Sequence, residues 1–310
     1  CIDTNKPFQV EASFPTDADG NMISMEVTLS QEGKDCPLGM RVDGYAKGFP
    51  ELTKAMVEGM TPVMSYWSDD TMTWMDGLGA DGKGPCAVDD ASACIETVKF
   101  YDFSVEEIGD AAPTNAPLPL LKTRPTAEPR EKHVDKCPGS FRMEGYGDVT
   151  IVPTGWGKPH SETEVLDSGG LVPHMGARAY FADTCNAGVY DNHDYVGLNL
   201  LGKTFKYTTD MSDSGCGCNA ALYFVSMRQN PLVSDCNDHY CDANNVCGCS
   251  CSEIDIQEGN MHAWHSTLHT AQDHGGMGAG YGGGDGWDGP RDFDSSQYGP
   301  GAQCIDTNKP

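Results

Sequence analysis

Three carboxylates lie close together in residues 252–260, which read SEIDIQEGN. Carboxylates that share one site repel each other, and the repulsion raises the proton affinity of at least one of them. Such a site can hold an ionised nucleophile beside a protonated acid. The same residues could instead form a solvent-facing acidic strand edge, which is ordinary in a protein this acidic. The spacing alone leaves both interpretations open.

The alternation of side chains in this segment predicts a β-strand. In a strand, Glu253 and Asp255 point to one face, while Ile254 and Ile256 point into the core. Glu258 falls on the other parity, so a strand end or a bulge after Asp255 is needed to bring it to the same face. We therefore predict a strand that is irregular near its C-terminal end.

Several other stretches show the same strand pattern. They are short, rich in β-branched and aromatic residues, and bounded by Gly, Pro, Asp or Ser; they are residues 22–29, 97–103, 204–210 and 221–227. The one helix-like stretch of note is residues 49–60, so the helices that a parallel α/β fold needs are lacking. We predict an all-β fold, a two-sheet antiparallel β-sandwich with long loops.

Composition and charge exclude several classes of function. The 310 residues are 38% hydrophobic, which is enough for a sizeable core. The chain has 46 acidic and 20 basic residues and a formal net charge of -26, so nucleic acid and anionic membranes repel it. No apolar run approaches the roughly 18 residues that span a bilayer. We expect a soluble protein with no nucleic-acid partner and no membrane association.

Fourteen cysteines are too many for a reducing compartment unless they bind metal. The one-residue gaps between Cys216 and Cys218 and between Cys247 and Cys249 differ from the gaps of about two to four residues found in zinc sites. The histidines of residues 262–274 have no carboxylate or sulfur partners at ligand spacing. We therefore predict disulfides, an extracellular location, and no metal or cofactor.

The two ends of the chain repeat each other, because residues 1–7 (CIDTNKP) recur as residues 304–310. A tandem array, a permuted chain with an overlap and a short terminal duplication would each explain this. We favour the array, which also explains why residues 1–10 do not resemble a signal peptide, so that residue 1 is not expected to start the gene product. Counting Cys1 and Cys304 as one position leaves an odd number of cysteines, which implies a free thiol or a bridge between copies.

Residues 109–137 differ from the rest of the chain in composition. Five prolines between Pro113 and Pro129, interleaved with Thr and Ala, resist both helix and sheet. We predict a linker that separates residues 1–108 from residues 138–310. A long surface loop inside one domain is the alternative.

The carboxylate segment resembles the catalytic signature of glycoside hydrolase family 7, the retaining cellobiohydrolases and endoglucanases. Its ExDxxE pattern follows Cys251 and Ser252 and precedes Asn260. Other blocks are similar to the same family: LLGKTFKYTTDMS (200–212), NAALYFVSM (219–227), GAR (176–178), YGPG (298–301), MSYWSDD (64–70), WMD (74–76) and TVKF (97–100). Their order is rotated, because the family's C-terminal part matches residues 1–108 and its N-terminal part matches residues 138–310. The resemblance implies a jelly-roll β-sandwich.

The resemblance also implies roles for individual residues. Glu253 would be the nucleophile, Glu258 the acid/base, and Asp255 the carboxylate that orients Glu253. His269 falls where the family has an active-site histidine. The implied substrate-binding residues, which would contact sugar rings through flat aromatic faces or hydrogen bonds, are Trp67, Trp74, Arg178, Tyr223 and Arg291. Tyr223 lies in an apolar strand and could instead be a core residue.

The chain departs from the family pattern around the expected cleft. Gln257 replaces the family's tryptophan and Gly259 its alanine, so we expect an altered cleft floor. Residues 228–251 are shorter and richer in cysteine than the family's loop, and a glycine-rich run at 275–290 replaces another loop. We therefore expect an open cleft, which favours internal cleavage over processive attack at chain ends.

Two hypotheses follow for function. The first is a secreted retaining β-1,4-glucan hydrolase that acts on β-glucan without a cofactor and occurs as a unit of a tandem array. The second is the repeating subunit of an extracellular fibre, glycan-binding or inactive, whose partners are neighbouring copies of itself. The two are compatible, because an array of active domains could also be fibrous.

Overall fold

The computed structural model describes residues 1–77, 82, 84–109, 136–155, 162–273, 276–282 and 293–304. Its strands are β1 (Ile2–Asp3), β2 (Phe8–Ser13), β3 (Met25–Ser30), β4 (Leu38–Val42), β5 (Thr61–Ser68), β6 (Lys99–Glu107), β7 (Ser140–Met143), β8 (Gly147–Gly155), β9 (Thr163–Val165), β10 (Leu171–Pro173), β11 (Ala177–Ala182), β12 (Lys203–Asp210), β13 (Cys218–Val225), β14 (Glu253–Gly259), β15 (Trp264–His269), β16 (Tyr281–Gly282) and β17 (Tyr298–Gly299). Its helices are α1 (Phe49–Glu58) and α2 (Thr73–Asp76), with short 3-10 helices at Ala91–Ala93, Asn192–Asp194 and Met227–Gln229.

The predicted all-β, two-sheet architecture is confirmed. One large sheet has seven described strands in the order β4-β3-β2-β12-β6-β10-β9. The other has eight described strands in the order β16-β15-β14-β13-β5-β11-β8-β7. The pairs within both sheets are antiparallel, while β1 pairs with β17 in parallel. Each predicted strand, and the predicted helix, corresponds to an observed element with shifted ends.

Both segments that flank residues 109–137 contribute strands to both large sheets. In the first sheet, β12 lies between β2 and β6, and in the second, β5 lies between β13 and β11. The two segments therefore share one core in this structure. Most of the predicted linker, residues 110–135, lies outside the described residues. The boundaries at 108, 109–137 and 138 stay predictions.

The core lies between the two sheets and is rich in aromatic side chains. In β2 the inward-facing residues alternate with more exposed ones, as the two-residue period of a strand requires. Phe103 contacts the rings of Phe141, Phe181 and Phe205 at centroid distances of 5.1, 5.3 and 6.1 Å. Each fully buried ring of this kind stabilises the fold by roughly 1.5–3 kcal/mol.

As predicted from the cysteine content, the structure contains disulfides, which join loops to one another and, through Cys218, one loop to β13. Those that involve a single pairing are Cys86–Cys216, Cys94–Cys218, Cys137–Cys185, Cys236–Cys247 and Cys241–Cys251. Cys36 lies at bonding distance from both Cys1 and Cys304. Among the described residues Cys249 is a free cysteine. No helix in the described part of the chain is long and apolar enough to cross a membrane.

Candidate active site

The carboxylate strand β14 is bulged at the position where the sequence requires it. Its pairing with β15 shifts register between Asp255 and Glu258, and its pairing with β13 shifts between Leu222 and Tyr223. The extra residue lets Glu258 join the face that carries the earlier carboxylates, although the simple two-residue period places it on the opposite face. Ile254 and Ile256 are fully buried in the core. The predicted strand and bulge are confirmed.

All three carboxylates line one cleft of about 610 Å³ on the eight-stranded sheet. The residues that line the cleft include acidic, polar, aromatic and small or aliphatic ones: Ser65, Trp67, Ser68, Trp74, Met175, Gly176, Ala221, Tyr223, Tyr240, Asp242, Asn244, Val246, Glu253, Asp255, Glu258 and His269. A concave site of this size, with convergent acidic groups between aromatic walls, suits a small number of sugar rings.

Glu253 is a buried carboxyl group in an acidic environment. Its Oε2 accepts a hydrogen bond from the backbone N–H of Ala243 at 2.9 Å. Burial, and then the charges of Asp255 and Asp242, raise the pKa of Glu253 well above its usual range, while His269 lowers it. A nucleophile must be ionised. The positive charge of His269 therefore opposes the effect of burial at this carboxyl group.

His269 is clamped between two carboxylates. Its Nε2 lies 3.2 Å from Oδ2 of Asp255, and its Nδ1 lies 2.6 Å from Oδ2 of Asp273. Burial opposes protonation, but the hydrogen bonds to Asp255 and Asp273 raise the pKa of His269 well above its usual range. The imidazole is therefore a cation that donates to a carboxylate from each nitrogen.

Glu258 has a less buried environment than Glu253. Its Oε1 accepts a hydrogen bond from Nδ2 of Asn219 at 3.0 Å, and Oδ1 of Asn219 accepts one from the N–H of Gly259 at 3.1 Å. Strand pairing places Asn219 opposite Trp67 of β5. The side chain of Glu258 is thus oriented next to an aromatic wall, where a sugar ring can stack.

Trp67 and Trp74, which the family resemblance implies are substrate-binding residues, both line the cleft. Helix α2 carries Trp74 and is fastened to the sheet through Asp76. Oδ2 of Asp76 accepts hydrogen bonds from the N–H of Gly217 at 3.0 Å and from Nδ2 of Asn260 at 2.8 Å. The position of this tryptophan therefore depends on contacts between segments far apart in the sequence.

Tyr223 lines the cleft, whereas Arg178 lies behind its wall. Arg178 is 0% exposed, and its guanidinium lies 3.8 Å from the ring centroid of Tyr240 and 3.7 Å from Oδ2 of Asp238. The hydroxyl groups of Tyr223 and Tyr240 are 3.0 Å apart. In this arrangement Arg178 supports the tyrosines and does not itself face the cleft. Arg291 lies outside the described residues.

Gln257 does not form the floor of the cleft, contrary to our expectation. It is fully buried, and its Oε1 accepts a hydrogen bond from the hydroxyl of Tyr207 at 3.0 Å. Its Nε2 donates to the carbonyl oxygen of Ala220 at 3.0 Å. Because the bulge turns this residue toward the opposite sheet, replacing the family's tryptophan changes the core between the sheets and not the cleft surface.

Sequence reasoning missed the cleft residues of the cysteine-rich loop 228–251. Asp242 and Tyr240 lie in the wall beside Glu253, together with Asn244 and Val246. Burial raises the pKa of Asp242, as does the charge of Asp255. The loop has no strand or helix period, and the disulfides Cys236–Cys247 and Cys241–Cys251 shape it. Its dense cysteines were the available signal that it is ordered.

Asp273 is a second residue that the sequence did not single out. Its carboxylate also accepts hydrogen bonds from the N–H groups of Thr270 and Gly280, both at 2.9 Å. Although burial opposes it, the hydrogen bond from His269 leads the effects that lower the pKa of Asp273. The ion pair between His269 and Asp273 is therefore held in place by the turn that follows β15.

Comparisons with known proteins relate this chain to one enzyme family. A family model described as glycosyl hydrolase family 7 matches residues 168–243. Endo-beta-1,4-glucanase celB of Emericella nidulans is 28% identical over 127 residues, which cover 34% of this chain and 29% of that protein. Endoglucanase EG-1 of Hypocrea jecorina is 30% identical over 167 residues, which cover 46% of this chain and 33% of that protein.

A third relative, Endoglucanase 1 of Pyricularia oryzae, is 33% identical over 124 residues, which cover 32% of this chain and 29% of that protein. The chain thus matches a third or less of the length of these three relatives. No solved structure matches the chain significantly. The similarities support a domain of the glycosyl hydrolase family 7 type. The family match ends before β14, so the roles of its carboxylates rest on geometry and on the motif.

Proposed function

We propose that this chain is a secreted glycosyl hydrolase family 7 domain that hydrolyses β-1,4-glucan with retention of configuration. The observation that carries the proposal is the bulged strand β14, which brings Glu253, Asp255 and Glu258 into one cleft. Acidic side chains on one strand face are expected to be spread by repulsion unless a function requires them together. Endoglucanase relatives and the tryptophans of the cleft support β-glucan as the substrate class.

The reaction would proceed by double displacement. Glu253 attacks the anomeric carbon while Glu258 donates its proton to the glycosidic oxygen, so the leaving sugar departs neutral and a glycosyl ester forms on Glu253. Glu258, now a carboxylate, removes a proton from water, and the water oxygen attacks the same carbon. This step releases the sugar and restores both carboxyl groups. No metal or organic cofactor is required by this sequence of steps.

Asp255 and His269 would tune the nucleophile. Asp255 adds negative charge beside Glu253, which favours its protonated form, and the imidazolium of His269 offsets that charge. The ion pair between Asp255 and His269, at 3.2 Å, holds both side chains in place. The charge of His269 thereby favours the ionised form of Glu253, which the nucleophilic attack requires.

The short loop 228–251, which lines part of the cleft, supports internal cleavage, while residues 283–290 of the glycine-rich run lie outside the described residues. The cleft is lined by a short, disulfide-linked loop on one side and by Trp67 and Trp74 on the other. A long polysaccharide can enter an open cleft sideways, whereas a tunnel admits only chain ends. We propose an endo-acting enzyme, in agreement with the names of the endoglucanase relatives.

The test compares the parent protein with Glu253→Gln on amorphous cellulose and mixed-linkage glucan. Loss of the nucleophile should reduce release of soluble reducing sugar by at least about a thousandfold, because no covalent intermediate can form. The exposed Glu32→Gln variant is the matched control and should retain parental activity. Proton NMR of the first product formed should show the β-anomer. A folded parent that releases no sugar from any β-glucan would refute the proposal.

A fibre subunit is the second candidate function, and the repeated heptapeptide favours it. A tandem array of such domains would present many identical surfaces along one chain, and head-to-tail contacts that do not close form filaments. The mass of the protein on a non-reducing gel distinguishes an array or filament from a single chain. Material far above 33.3 kDa supports an array or filament, and a single band near that mass argues against it.

A further inference from the structure

Helix α1 contacts the two strands that carry the catalytic residues through the side chain of Glu51. These strands, β14 and β15, form a hairpin that we call the catalytic hairpin, and residues 260–263 join them at one end. At the other, open end Glu253 pairs with His269. The joining turn is far from this pair, so other contacts must hold the open end together.

One carboxylate oxygen of Glu51 bridges the open end of the catalytic hairpin. Its Oε1 accepts a hydrogen bond from the hydroxyl of Ser252 at 2.7 Å and another from the N–H of Ala271 at 2.7 Å. Ser252 directly precedes Glu253, and Ala271 follows closely after His269. Hydrogen bonds to a charged acceptor are stronger than those between neutral groups. The bridge therefore ties the start of β14 to the turn after β15.

Helix α1 provides a fixed base for this bridge. The side chains of Phe49, Leu52 and Met56 are buried in the core and hold the helix in place. Glu51 lies in the first turn of the helix and is exposed. The partial positive charge of the helix N-terminus stabilises a carboxylate at this position. Packing thus fixes the backbone of the helix, while the side chain of Glu51 reaches the hairpin.

The part of the site that the bridge holds is residues 270–273, which we call the Asp273 turn. Oδ2 of Asp273 lies 2.6 Å from Nδ1 of His269. The hydroxyl of Tyr45, which precedes α1, donates to Oδ1 of Asp273 at 3.3 Å. Ala271 lies in the turn between the imidazole and this carboxylate. A displacement of the Ala271 backbone would therefore change the distance between the two charged groups.

We propose that Glu51 is a positioning residue of the active site, which fixes the Asp273 turn against the start of β14 and so keeps Asp273 in contact with His269. Glu51 is not among the residues that line the cleft. The charged groups that act directly on His269 include Asp255 and Glu253 on β14 and Asp273 in the turn. The catalytic meaning of this inference rests on the proposed function, in which the imidazolium offsets the negative charge around Glu253.

Two substitutions of Glu51 separate its geometry from its charge. Glu51→Ala removes the acceptor of both hydrogen bonds, whereas Glu51→Gln removes the charge but keeps an acceptor oxygen. Both variants should fold, because the side chain is exposed. In the ¹⁵N-labelled chain without substrate, NMR titration should show a lower pKa of His269 in Glu51→Ala and a nearly parental pKa in Glu51→Gln.

The pH profile of glucan hydrolysis gives the second readout. On mixed-linkage glucan, Glu51→Ala should lower kcat/KM at the alkaline end of the profile at least about threefold and leave it unchanged at the acidic end. Glu51→Gln should restore the parental profile. The matched control is Glu58→Ala, an exposed acid on the same helix, which should change neither the profile nor the titration of His269.

A double-mutant cycle tests whether Glu51 acts through Asp273. If it does, Glu51→Ala should have no further effect on the pKa of His269 in a chain that already carries Asp273→Asn. Additive effects in the double variant would overturn the proposal, because Glu51 would then act by another route. Equal effects of Glu51→Ala and Glu51→Gln would also overturn it, because charge and not position would be responsible.

The NMR titration needs no turnover, so it separates this inference from the proposed function. A parent that releases no sugar, combined with the stated changes in the His269 titration, would refute the hydrolase and support the positioning role of Glu51. An unchanged pKa of His269 in Glu51→Ala would refute the positioning role, even if activity fell equally at every pH.

Discussion

At the scale of single residues, the most consequential arrangement is the line of charges Asp255, His269 and Asp273. The imidazolium contacts one carboxylate of the cleft and one carboxylate outside it. Asp273 is not among the residues that line the cleft, so it acts on the site only through His269. Two anions stabilise the cation more than one does, and a cation beside Glu253 favours its ionised form.

Replacement of Asp273 by Asn tests this arrangement. Asn can still hydrogen-bond to the ring but carries no charge, so the pKa of His269 should fall. Above the lowered pKa, the neutral imidazole no longer offsets the negative charge around Glu253, and the alkaline limb of kcat/KM should move to lower pH. Titration of the ¹⁵N-labelled histidine side chain by NMR measures the pKa directly.

The control for this experiment is the exposed Asp167→Asn variant, which should leave both the titration and the pH profile unchanged. A purely structural role of Asp273 would lower the melting temperature and reduce activity equally at every pH. An unchanged His269 pKa in Asp273→Asn would contradict the positioning role, whatever happens to activity.

At the scale of secondary-structure elements, the position of helix α2 depends on one buried carboxyl group, that of Asp76. Burial raises the pKa of Asp76 to about 6, helped by the charge of Asp89, although the N–H of Gly217 opposes the shift. Among the residues that the structure describes, both oxygens of Asp89 and Oδ1 of Asp76 are buried without a hydrogen-bond partner. The carboxyl group of Asp76 therefore lies in an environment that stabilises a negative charge poorly.

Asp76→Asn should change the pH dependence of stability. A pKa raised from 3.8 to about 6 on folding means that the folded chain binds the proton more tightly. The stability contributed by this group is complete below pH 3.8 and is lost as the pH rises to about 6. The neutral Asn avoids that loss, so the variant should gain about 1–2 kcal/mol relative to the parent between pH 4 and pH 7.

Urea unfolding at several pH values measures this difference. The comparison with Asp70→Asn, an exposed aspartate before the same helix, controls for a general loss of negative charge. A difference in unfolding free energy between Asp76→Asn and the parent that stays constant from pH 4 to pH 7 would show that Asp76 does not titrate in this range.

At the scale of the whole molecule, the two segments are interleaved. Strand β12 pairs on one side with β2 and on the other with β6, and two disulfides, Cys86–Cys216 and Cys94–Cys218, cross between the segments. The many backbone hydrogen bonds and the shared core make separation of the segments equivalent to unfolding.

Cutting the chain within residues 110–135 should therefore leave the molecule intact. A specific protease site inserted there should yield two fragments that stay together in size-exclusion chromatography, with or without reductant, and that keep the parental melting temperature within a few degrees. Fragments that separate without denaturant after reduction would contradict a shared core. They would favour a linker between independent domains.

Much of the fold and part of the site could be predicted from short-range patterns. The alternation in residues 252–260 predicted a strand, its bulge, and the buried Ile254 and Ile256, because these depend on neighbouring side chains and a period of two. The positions of Trp67 and Tyr223 in the cleft also agree with motifs read from the sequence.

The sequence by itself determined an all-β, disulfide-bonded, strongly acidic chain with clustered carboxylates. Only the tertiary structure decided that Asp242 stands beside Glu253, that Asp273 clamps His269, that Arg178 lies behind the cleft, and that Cys36 meets both Cys1 and Cys304. The reason is physical. Local periodicity sets which face a side chain occupies, whereas most of these contacts join residues far apart in the chain, and the Asp273 clamp forms in a turn that follows no repeating pattern.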